Sequence, residues 1–71
     1  MYEVTARSGS AFRALDADTL REANDTARGM FGHGWTTITV SKVTGAGRAT
    51  TARRIVAMWE RKGGQMVPMS L

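Results

Sequence analysis

The chain has 71 residues, ten Lys and Arg against six Asp and Glu, a net charge of +4 and no cysteine. A single small domain over residues 1–71 is expected, hiding only about 60% of its unfolded surface, and the missing cysteines remove disulfides, zinc knuckles and thiol chemistry together. One histidine among scattered acids predicts no metal site, and no apolar run approaches about 18 residues, so neither a signal peptide nor a membrane span is expected.

Tyr2, Val4 and Ala6 alternate with Glu3, Thr5 and Arg7, the period of a half-buried strand. Ser8-Gly9-Ser10 is a turn-forming cluster, and Ala11 to Leu15 returns as a second short strand. Asp16 to Thr19 then supplies helix-capping residues, with Thr19 and Glu22 at capping-box spacing. Leu20, Ala23, Ala27, Met30 and Phe31 recur at helical spacing, and Gly32-His33-Gly34 ends the helix. Its alanine-rich stripe predicts close packing on a sheet. The β-branched run Trp35 to Val43 reads as a strand, with Ile38, Val40 and Lys42 on one face and threonines on the other.

Gly45-Ala46-Gly47 breaks that strand. Beyond it Ala49, Ala52, Ile55, Val56 and Trp59 fit a second amphipathic helix, with Gly63-Gly64 as its stop. Arg53 and Arg54 near a helix start oppose the helix dipole by a few tenths to about 1 kcal/mol. The competing reading is a hairpin over residues 50–71, in which simple alternation puts Arg53 and Arg61 on one face and Arg54 on the other. The helix is preferred, because a strand here is apolar on both faces. The expected fold is therefore a two-layer α+β domain, an antiparallel sheet packed by two helices in the order ββαβα. The alternative order is ββαβββ.

Charge is uneven. Residues 1–41 hold four arginines against five acids, a net of −1, whereas residues 42–71 hold six cations against Glu60, a net of +5. That asymmetry points to an anionic partner for the C-terminal half, although eight Arg to two Lys also matches the coding bias of a GC-rich genome. Enzymatic activity is not expected. The acids are explained as helix-start and surface residues, G-x-S-x-G is absent, and no titratable groups converge on a pocket in any readable way. Gly45-Ala46-Gly47 lacks the third glycine and the lysine of nucleotide-binding loops, so a single phosphate is a better ligand there than a nucleotide. His33 is read as an exposed loop residue and Trp59 as core.

Residues 44–64, TGAGRATTARRIVAMWERKGG, also resemble the turn and recognition helix of winged helix-turn-helix proteins. The resemblance covers less than a third of the chain. It implies that Thr50, Thr51, Arg53 and Arg54 face a DNA major groove and that residues 65–71 form a wing. The helix it requires beforehand falls on the strand-like WTTITVSKV.

Two functions are thus expected. The first is a small non-enzymatic protein contacting nucleic-acid phosphates through Lys42, Arg48, Thr50, Thr51, Arg53, Arg54, Arg61 and Lys62. The second is a protein-interaction or self-assembling accessory module, of viral or mobile-element origin, using Trp35, Met66, Val67, Met69 and Leu71. Neither needs a cofactor, a metal or a small-molecule substrate, and the cytoplasm is the default location.

Overall fold

The computed structural model describes residues 1–44 and 52–70. Among these described residues, five strands and one helix follow in the order β1 (Tyr2–Ser8), β2 (Ala11–Ala17), α1 (Leu20–Gly32), β3 (Thr37–Thr44), β4 (Ala52–Lys62) and β5 (Gln65–Pro68). They form one antiparallel sheet in the spatial order β2-β1-β3-β4-β5. The domain is mostly β, and the expected two-helix ββαβα arrangement is wrong. Residues 52–62 are a strand, and the hairpin named as the alternative is what the chain forms.

The reason is visible at the C-terminal end of β4 and on its two faces. Gly63 and Gly64 both have positive φ, 57° and 76°, the backbone of a two-residue type I′ hairpin turn and not of a helix stop. The objection that a strand here is apolar on both faces fails because neither face has to be sealed. Ala57 and Trp59 pack against the core, while Met58 is half-buried and Ile55 remains 45% exposed on the other side.

The first hairpin closes similarly. Gly9 takes φ 62° and Ser10 does not have positive φ, as in a type II′ turn, and β1 then pairs β2 over the full strand. β2 and β3 flank β1 and run parallel to each other, so α1 is the crossover between them. Thr19 caps it, its hydroxyl accepting the Glu22 N–H at 3.1 Å. Ala23, Ala27 and Met30 face the sheet and are buried with Val4, Ala6, Ala17, Ile38 and Val40. Two alanines let the helix approach closely. Leu20, expected on this stripe, is 44% exposed.

One irregularity decides where the arginines of β4 point. Val40 pairs Ala57 but Ser41 pairs Ile55, so Val56 is an extra residue in β4. Such a bulge reverses the alternation beyond it. Strict alternation from Trp59 and Ala57 would turn Ile55 and Arg53 toward the helix. Instead Arg54, opposite Lys42, lies on the helix side, and Arg53, opposite Val43, lies on the open side. Arg53 and Arg61 therefore do not share a face, contrary to the expectation for an unbroken strand.

Candidate nucleic-acid interface

The cations of the C-terminal half do not gather in one place. Arg54 and Lys62 lie toward opposite ends of β4, about 26 Å apart at roughly 3.3 Å per residue.

At the far end, next to the β4–β5 turn, the charges are engaged within the chain. Arg61 turns inward from β4 toward the C-terminus of α1. Its Nε donates to the Trp35 carbonyl at 3.3 Å, its second guanidinium nitrogen donates to the Phe31 carbonyl, and its Cζ sits 4.0 Å from the centroid of the Phe31 ring. The Phe31 carbonyl, in the last turn of α1, also accepts the Gly34 N–H at 3.1 Å, so the guanidinium adds a second donor there and ties β4 to the segment that leaves the helix. Lys62 lies 3.7 Å from Glu60, an exposed pair. Arg61 is therefore not presented to a ligand, and Lys62 is separated from Lys42, Arg53 and Arg54.

At the near end, the root of the β3–β4 ribbon, Arg53 crosses the open face and its Nε meets Glu3 at 3.1 Å. Lys42 and Arg54 stand directly opposite each other on the helix side, with Tyr2 next to Lys42 on β1. Like charges so placed, about 5 Å apart at Cβ, repel. Among the described residues neither forms an ion pair, and both are exposed. Arg48, Thr50, Thr51 and the Gly45-Ala46-Gly47 turn lie outside the described residues. In sequence they join the two strands at this same end.

The helix-turn-helix reading has no helix to stand on, since Arg53 and Arg54 belong to β4 and residues 65–68 to β5. The residues expected at a protein interface are divided too. Trp35 and Met66 pack against the core, Val67 is half-buried opposite Glu60, Met69 is 37% exposed, and Leu71 lies outside the described residues.

The open face of the sheet was not anticipated as a surface of its own. Thr5, Thr37, Thr39 and Ser41 floor a shallow depression of about 600 Å³, bordered by Arg7, Phe12 and the Arg53–Glu3 pair. The Arg7 guanidinium lies 5.4 Å from the Phe12 ring centroid. His33 is exposed and closes α1, its backbone N–H reaching the Gly29 and Met30 carbonyls. Among the described residues no three His, Asp or Glu side chains come together as metal ligands, and no helix is long and apolar enough to cross a membrane.

No protein-family model matches the chain, and no curated protein or solved structure matches it.

Proposed function

We propose that this protein binds nucleic acid, without catalysis, through the basic root of the β3–β4 ribbon. The observation that carries the reading is the Lys42–Arg54 pair. Two cations side by side, exposed and with no acidic partner among the described residues, are arranged at a cost to folding. A phosphate between them would relieve that cost. The bulge at Val56 puts Arg54 on the Lys42 side, and bulges commonly re-aim side chains in this way. Arg48, Thr50 and Thr51 join the two strands in sequence at this end. A cytoplasmic setting suits such a role.

Binding of this kind releases counterions, so log affinity falls with log salt by about 0.9 per phosphate contact on duplex DNA. Fluorescence anisotropy with labelled duplex DNA and single-stranded RNA tests it at about 50 and 200 mM salt, where binding should weaken roughly tenfold or more. Absence of binding at the lower salt would leave the charge as compositional bias.

A further inference from the structure

We infer that β2 is a self-association edge, along which two copies of this chain pair antiparallel to make one continuous sheet. The inference is independent of nucleic-acid binding.

A sheet of five strands has two edges, β2 and β5, and unpaired backbone groups along an edge are a template for another strand. The hydrogen-bond phase shows which groups are free. Thr36 N–H bonds the Arg7 carbonyl and Val43 N–H bonds the Met1 carbonyl, so odd-numbered residues of β1 serve β3. Even-numbered residues then serve β2, engaging their partners Ala11, Arg13, Leu15 and Ala17. Phe12, Ala14 and Asp16 therefore point both N–H and C=O outward. On β5 the Met69 N–H bonds the Met58 carbonyl, which leaves Met66 and Pro68 as the outward residues. Proline has no N–H to offer. The β5 edge is short and blunted where a partner would dock. The seven-residue β2 edge is longer and has no proline, although it carries Arg13 and Asp16.

The occupant that fits is a second copy. Pairing about a two-fold axis through Ala14 sets Ala14 against Ala14, Phe12 against Asp16 and Arg13 against Leu15, using every outward group of β2. The smallest side chains meet at the axis, and no like charges are directly opposite, the two copies' Arg13 being diagonal neighbours about 7–8 Å apart on the helix side. Within one chain Asp16 sits opposite Glu3, whose charge is partly met by Arg53. In the pair each Asp16 gains the other copy's Phe12, which has the Arg7 guanidinium against its ring. Phe12, 56% exposed, and Leu15, 37% exposed, would both lose water. Leu15 comes opposite Arg13, beside the hollow of about 340 Å³ between β2 and α1 that Arg13, Met30 and Trp35 line. A two-fold contact of this kind is self-complementary and closed, which avoids open-ended growth.

Sedimentation equilibrium on the full chain, over a wide concentration range, tests the inference. The wild type should dimerise. Ala14→Pro should be monomeric, because it deletes an outward donor while breaking no bond to β1, the placement in which strands tolerate proline. Asp16→Lys should also be monomeric, because it sets a cation toward Arg7 of the other copy. Within its own chain that lysine faces Glu3, so its fold should be at least as stable as the wild type. If Ala14→Pro does not fold, Asp16→Lys decides. A wild type that stays monomeric throughout, or a dimer that Asp16→Lys leaves intact, overturns the inference.

Discussion

The two ends of strand β4 carry the same kind of residue and use it in opposite ways. Near the β4–β5 turn, Arg61 folds back onto the Phe31 carbonyl of α1, the Trp35 carbonyl just beyond the helix and the Phe31 ring. At the ribbon root, Arg54 stands beside Lys42 with no acid to meet it among the described residues. A run of positive charge in a sequence is thus not a positive patch. Which guanidinium is left over depends on which one finds carbonyls to cap, and that is decided by the strand's register.

The comparison can be broken most sharply at Arg61. Arg61→Ala should destabilise the fold by about 2–3 kcal/mol, since hydrogen bonds to charged groups are worth about 1.5–3 kcal/mol and the stacked ring adds to them. Urea unfolding checks this, and nucleic-acid affinity of the remaining folded protein should change little. Arg61→Lys should recover only part of the loss, because an ammonium cannot reproduce the planar fork over a ring. A fully stable Arg61→Ala would make this end no different from the other.

At the ribbon root the expected balance is reversed. The double substitution of Lys42→Ala and Arg54→Ala should lose most nucleic-acid affinity. It should leave stability unchanged or raise it by a few tenths of a kcal/mol, as like charges across a strand pair are removed. Arg53→Ala is intermediate. Its pair with Glu3 is partly exposed, the Arg53 side chain retaining 59% of its accessibility, so thermal melting should register at most about 1 kcal/mol. Lys62→Ala, breaking an exposed contact with Glu60, should move neither stability nor affinity measurably. A loss of affinity there would mean that the distant turn also touches the ligand.

These differences show what the sequence could and could not convey. The Thr19 N-cap on the Glu22 N–H, the β-branched run of β3 and the Gly9 turn act within a few residues, and each is legible. The stretch 52–62 is not, because Ile55, Val56 and Trp59 suit a helical stripe as well as a strand. What decides between them is pairing with β3, a partner about 15 residues away in sequence. Gly63-Gly64 fits a helix stop or a hairpin turn, and only its backbone angles separate the two. The site is legible as charge but not as geometry. Even a correct strand assignment puts Arg53 with Arg61, because the bulge at Val56 leaves no mark in the residue pattern. Trp35 and Met66 read as exposed interface residues, yet they pack against the core.

The most direct test of the ribbon-root site is the salt dependence of duplex DNA binding, measured in parallel for the wild type and the Lys42→Ala, Arg54→Ala double variant. If both cations contact phosphates, the slope of log affinity against log salt should flatten by about 2, and affinity at low salt should fall with it. Parallel slopes with equal affinity, or a wild type that does not bind at low salt, would contradict the assignment.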